Sequence, residues 1–144
     1  MFGTMPAGIL YVDDDLEACE EMKMMFQASI KGCDLICSTS QRQTQEMISQ
    51  RSFDMFILEY CLSEMTGAEL CHKIRLEDRD TPVVIYSALF REIDRKMALA
   101  AGANAFVIKS DGFSHLSATI RRLLVPRPVI SRHYHSARRS TRIF

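Results

Sequence analysis

Five short apolar, β-branched runs, each ending in polar residues, alternate along this chain with segments of helical period. That alternation constrains the fold more than any other feature. The runs are residues 8–13 (GILYVD), 33–38 (CDLICS), 53–59 (FDMFILE), 82–87 (PVVIYS) and 104–109 (NAFVIK). Their ends at 13, 38, 59, 87 and 109 are separated by 25, 21, 28 and 22 residues, room each time for one helix and two short loops. Repeated βαβ units of this kind build a parallel sheet with helices on both faces. The pattern therefore predicts an α/β fold, a five-stranded, doubly wound parallel sheet.

The intervening segments each carry one apolar stripe, as helices packed on a sheet should. Leu16, Cys19, Met22, Phe26 and Ile30 mark the first, and Phe113, Leu116, Ile120, Leu123 and Leu124 the fifth. Thr66-Gly67-Ala68-Glu69 has the pattern of a capping box, which starts the third helix and turns Leu70, Cys71 and Ile74 inward. Ile93, Met97 and Ala101 form the expected inner face of the fourth, which stops at Gly102. The second, around 43–50, has little apolar surface beyond Met47 and Ile48.

After Val125 the periodicity fails, because Pro126 and Pro128 interrupt any helix and no apolar stripe follows. Residues 1–125 are read as one domain and 126–144 as a basic tail or linker. Seven arginines and no acid lie from residue 121 onward, so a net charge of zero divides into −7 for residues 1–120 and +7 for the remainder. Such a tail serves as a linker, touches an acidic surface of this chain or a partner protein, or binds nucleic acid. With only Tyr134 and Phe144 as aromatic platforms in it, nucleic acid is the least favoured. No apolar run is long enough to cross a membrane and no signal segment is apparent, which points to the cytoplasm. The five cysteines form no C-x-x-C pair and have no histidine at zinc spacing. Reduced, mostly buried thiols are expected.

In a parallel open sheet, side chains just beyond the carboxyl ends of the strands converge on one rim, where ligands bind. Asp13, Asp14 and Asp15 follow the first run, Glu59 ends the third, Ser87 the fourth and Lys109 the fifth. Clustered carboxylates repel unless a cation or basic group neutralises them. Acids beside a lysine suit a hard divalent ion, with magnesium the natural candidate for phosphoryl chemistry. Taken singly these residues have plainer readings: the aspartates as acids at a helix N-terminus, Ser87 as a turn residue, Phe106 as core.

Taken together they resemble the receiver domains of bacterial two-component response regulators, over about residues 8–124. ILYVDDD is similar to that family's first strand with its acidic pair. FDMFILEYCLSEMTGAEL is similar to the third strand and its loop, Ser87-Ala88 to the hydroxyl residue and its small neighbour, and Ala101-Gly102-Ala103 through Lys109 to the fifth-strand motif. The resemblance implies a CheY-like, flavodoxin-like strand order 2-1-3-4-5 with five helices. It implies magnesium held by Asp13, Asp14, the residue at 59 and the backbone carbonyl of Cys61, with Ser87 and Phe106 as switch residues. It also implies protein partners: a sensor histidine kinase, a phosphotransfer protein or a downstream effector.

Three positions depart from the pattern. Glu59 stands where the family has its phospho-accepting aspartate, Ser63 replaces a loop proline, and Ser110 the proline after the lysine. One extra methylene displaces a carboxylate by roughly 1 to 1.5 Å, enough to cost on the order of a hundredfold in an in-line transfer. The same methylene pushes negative charge toward Lys109 and Ser87, into space that phosphoryl oxygens would fill, so a degenerate or phospho-mimicking pocket is expected. The alternative is an enzyme, a small phosphatase or phosphotransferase on the same scaffold, for which Asp13 and Asp15 have the D-x-D spacing.

Overall fold

A computed structural model describes residues 6–124. The elements are β1 (Ala7–Val12), α1 (Leu16–Ser29), β2 (Cys33–Ser38), α2 (Gln41–Gln50), β3 (Met55–Glu59), α3 (Gly67–Glu77), β4 (Val83–Ser87), α4 (Glu92–Ala100), β5 (Ala105–Ile108), a 3-10 turn (Lys109–Asp111) and α5 (Phe113–Leu123). The strands form one parallel sheet in the order β2-β1-β3-β4-β5. Fold class and strand order are as expected, and element bounds differ by at most two residues. The basic segment 126–144, with His133 and His135, lies outside the described residues.

Because successive side chains of a strand point to opposite faces, each apolar run divides its residues between two cores. Ile9, Tyr11, Met55, Ile57, Val84, Tyr86 and Val107 pack against Cys19, Met22 and Phe26 of α1 and Leu116 and Ile120 of α5. Leu10, Val12, Phe56, Leu58, Val83 and Ile85 pack against Ile48 of α2, Leu70, Cys71 and Ile74 of α3 and Ala98 of α4. Burial on both faces is why the central runs, β1, β3 and β4, are almost continuously apolar rather than alternating.

Side-chain caps start three of the helices. Asp15 accepts from the amide of Glu17 at 3.0 Å, Ser40 from Gln43 at 3.0 Å and Thr66 from Glu69 at 3.1 Å, each cap contributing about 1 kcal/mol. Gly102 ends α4 with φ +107, a conformation open to glycine at little cost.

Three expectations are corrected. Leu16 is exposed, because it opens α1 at the rim, past the end of β1. The inner face of α4 is Asp94 and Ala98, while Ile93 and Met97 are 56% and 53% exposed. The two stripes lie one residue apart. Asp94 takes the inner one because Arg91 grips it at 2.8 and 2.9 Å and Tyr60 donates to it. Of the five cysteines only Cys19 and Cys71 are buried; Cys33 and Cys37 are partly so and Cys61 is exposed.

Candidate functional site

Strand register brings the rim residues to one level. Val12 pairs with Leu58, Glu59 with Tyr86 and Ser87 with Ile108, so Asp13, Glu59, Ser87 and Lys109 all fall at the carboxyl ends. Strand parity then sorts them. Asp13, Glu59 and Lys109 continue the alternation of Tyr11, Ile57 and Val107 toward the α1/α5 face, and they meet. Lys109 Nζ lies 3.0 Å from Glu59 Oε1 and 3.4 Å from Asp13 Oδ2, with the Tyr86 ring centroid at 5.4 Å. Glu59 Oε2 accepts from the amide of Cys61 at 3.1 Å. Asp13 Oδ1 accepts from the amide of Asp15 at 3.0 Å, and its Oδ2 from the Tyr11 hydroxyl at 2.6 Å.

Asp13 and Glu59 are buried, so each charge needs compensation where it stands. Lys109 supplies it to both. Burial alone would lower the lysine's pKa, but Glu59 and Asp13 outweigh it and hold the ammonium above its ordinary value. The Tyr11 phenol is pushed far above its usual range by burial and by its bond to Asp13. Tyr11 went unnoticed in the sequence reading, although it stands two residues before Asp13 on the same side of the strand, where alternation directs it to that carboxylate.

The side chains of Asp14, Ser87 and Phe106 have their contacts elsewhere, and Cys61 is exposed. Asp14 is exposed and its Oδ2 accepts from the amide of Ser63 at 2.5 Å. The buried Ser87 hydroxyl accepts from the amide of Leu89 at 3.3 Å, inside its own loop. Phe106 packs toward the opposite core, between Tyr60 at 6.1 Å and Phe90 at 6.3 Å. Partial burial, and then the charge of Glu59, push the exposed Cys61 thiol up, which argues against a reactive thiolate there. Gly67 is a second residue whose part the sequence reading did not see. A Cβ there would stand 2.5 Å from the carbonyl oxygen of Glu59 and 3.0 Å from Cα of Tyr60, so glycine lets α3 close against the end of β3.

The donors expected for magnesium are hard oxygens of the right chemistry. They are already engaged, however: Asp13 by Tyr11, Lys109 and a backbone amide, Glu59 by Lys109 and another amide, Asp14 by Ser63. Among the described residues no group of three or more His, Cys, Asp or Glu side chains is arranged to hold a metal ion. The residues suit a loosely held, mostly hydrated ion rather than a caged one.

Comparison with known proteins gives this geometry its family. The model for the response regulator receiver domain matches residues 9–121. The chain is 29% identical over 122 residues to the transcriptional regulatory protein ZraR of Escherichia coli O157:H7, covering 85% of this chain and 27% of that protein. It is 28% identical over 120 residues to the response regulator MprA of Mycolicibacterium vanbaalenii, covering 83% and 51%. It thus spans between a quarter and a half of these relatives. Among solved structures, a two-component response regulator from Clostridium difficile superposes with TM-score 0.75 at 25% identity, over 82% of this chain and 95% of that one. The signal receiver domain of an HD domain-containing protein from Pseudomonas fluorescens shares the fold, with TM-score 0.77 at 17% identity over 96% and 97%. These likenesses lend no support to a small phosphatase. With the family model matched over most of its length and the sheet in the expected order, the chain belongs to the response regulator receiver domain family of two-component signal transduction.

Proposed function

We propose that this receiver acts through protein contacts with an acidic pocket that is neutralised from within and poorly suited to accept a phosphoryl group. The observation that carries the reading is the pair of contacts made by Lys109, to Glu59 at 3.0 Å and Asp13 at 3.4 Å. A phosphoryl acceptor must offer a free, in-line carboxylate oxygen. At Glu59 one oxygen is drawn to Lys109 and the other to the Cys61 amide. The standing ion pair supplies part of the interaction that a phosphorylated pocket makes with its lysine, with about one negative charge where a phosphoryl group carries nearly two.

Signalling rather than turnover also accords with the surface beside α4. Leu89, Phe90, Ile93 and Met97 are all half-exposed or more, an apolar patch of the kind that protein partners cover. Phe90 touches Phe106, which touches Tyr60, the residue after Glu59, so patch and pocket are joined by packed rings. Partners of the expected classes are a sensor histidine kinase, a phosphotransfer protein or a downstream effector. No helix among the described residues is long and apolar enough to cross a membrane, in keeping with a cytoplasmic role.

Magnesium, if bound, would be held weakly by Asp14 and the Cys61 carbonyl, with Asp13 and Glu59 at its edge. It would supply positive charge to incoming phosphate oxygens. Titration followed by NMR is expected to shift the amides near Asp14 and Glu59 with a millimolar midpoint; no shift there would remove magnesium from the reading.

The decisive experiment is labelling by acetyl phosphate with magnesium present. The natural protein is expected to take up little, and Glu59→Asp on the order of a hundredfold more, because the shorter carboxylate leaves Lys109 and regains the family's reach. Equal labelling of the two would overturn the reading.

A further inference from the structure

Behind the acidic pocket lies a pair of sulfurs that the receiver chemistry does not use. Cys19 is on the inner face of α1 and Cys37 on β2, 18 residues apart in sequence. Cys37 pairs in register with Tyr11, and α1 crosses the same face of the sheet. The two residues adjoin: Cys37 Sγ donates to the carbonyl oxygen of Cys19 at 3.7 Å. Cys19 Sγ donates in turn to the carbonyl oxygen of Asp13 at 3.4 Å.

The two cysteines are unequal in a way that suits sequential oxidation. Cys37 is partly exposed, on the edge strand of the sheet. Cys19 is 1% exposed. The neighbouring Cys19 thiol, and then Lys23 one turn beyond it on α1, draw the Cys37 thiol below its ordinary pKa against burial and the charges of Glu20 and Asp13, which push it up. A partly exposed sulfur with a cation nearby and a shielded second cysteine beside it is the arrangement of an attacking and a resolving cysteine.

We propose that Cys37 and Cys19 form a peroxide-oxidisable dithiol whose disulfide ties α1 to β2 directly behind Asp13. In the first step the Cys37 thiolate attacks one peroxide oxygen. The O–O bond breaks, giving a sulfenic acid and hydroxide, which takes up the proton that the thiol had released. In the second, Cys19 sulfur attacks Cys37 sulfur, the S–O bond breaks, and hydroxide leaves with the Cys19 proton as water. Two thiols are oxidised by two electrons and one hydrogen peroxide is reduced to two waters. The disulfide removes the hydrogen that Cys19 donates to the Asp13 carbonyl, so the oxidised protein differs at the pocket as well as at the edge of the sheet.

The test is peptide mapping of the full chain after native treatment with equimolar hydrogen peroxide, with free thiols alkylated before digestion under non-reducing conditions. The expected product is a linked peptide pair joining Cys19 to Cys37, lost on adding dithiothreitol. It should persist in Cys33→Ser and vanish in Cys37→Ser, which separates the two cysteines that share one tryptic peptide. Amides of Asp13 to Asp15 should shift on oxidation of the natural protein. A link through Cys33 or Cys61 would overturn the proposal. So would Cys19 and Cys37 both remaining alkylatable, or an oxidised pocket with unmoved amides. Mapping the natural protein keeps the result independent of whether a cysteine variant folds.

Discussion

The two sides of the sheet's rim handle a buried acid in different ways. Toward α1 and α5, Asp13 and Glu59 share Lys109, a lysine whose side chain is 26% exposed. Toward α4, Asp94 is held by Arg91, whose side chain is 72% exposed. On the first side the cation is enclosed with its acids and the charge is settled inside the fold. On the second the acid is drawn in, the arginine stays in solvent, and Ile93 and Met97 are turned outward. Pairing a buried acid with a cation therefore goes with an internally neutralised pocket on one face and an exposed apolar surface on the other. What differs is where the partner cation sits.

Removing the enclosed cation should break this contrast most severely. Lys109→Met is expected to cost about 2 to 3 kcal/mol in chemical denaturation, somewhat less than for a fully buried pair because the lysine is partly exposed. The pH dependence has a definite sign. A cation whose pKa rises on folding contributes its stability in full below the unfolded value, about 10.4, and loses it as pH climbs through the folded one. Since Lys109 is raised, the gap between natural protein and variant should be constant near neutrality and close only in alkali. A gap that closed below about pH 9 would mean that the ion pair is not its source.

The next effect lies where the two sides share a backbone. Gly67→Ala would press a methyl against Glu59 and Tyr60. It is expected to destabilise by about 2 kcal/mol, although alanine is otherwise the better helix former. A gain in melting temperature would show that the end of β3 yields freely.

Tyr11→Phe tests a neutral partner of the enclosed acids. Taking the hydroxyl from Asp13 should cost about 1 to 1.5 kcal/mol, and calorimetry on the pair would read it. An unchanged melting profile would leave Lys109 as the sufficient partner of Asp13.

The smallest effect belongs to the open side. Ile93→Ser should change stability by no more than about 0.5 kcal/mol, since the side chain is already in solvent. A larger loss would return Ile93 to the core, where its helical spacing had placed it.

That last residue marks the limit of what the chain displays in one dimension. The strand runs were legible because the central three, β1, β3 and β4, are buried on two faces and so are apolar almost throughout. The rim acids and Lys109 were legible because they end those runs. The face of α4 was not, since stripes through Ile93 and through Asp94 differ by one residue and only the contacts of Arg91 and Tyr60 choose between them. Tyr11 was within reach of the alternation rule. The approach of Cys19 to Cys37 was beyond any local pattern, because it depends on α1 crossing β2 in three dimensions.

The placing of the tyrosines has an optical consequence. The chain has no tryptophan and four tyrosines; two of them border the pocket and a third lies across the sheet from it. Tyr11 bonds Asp13, Tyr86 lies beneath Lys109, and Tyr60, the residue after Glu59, packs at a tilt against Phe106 on the other face. With no indole to mask them, intrinsic ultraviolet emission and near-ultraviolet circular dichroism of the unlabelled protein come largely from phenols at this rim. A kinase, an effector or an ion that disturbs the pocket should change the protein's own spectrum without an added dye.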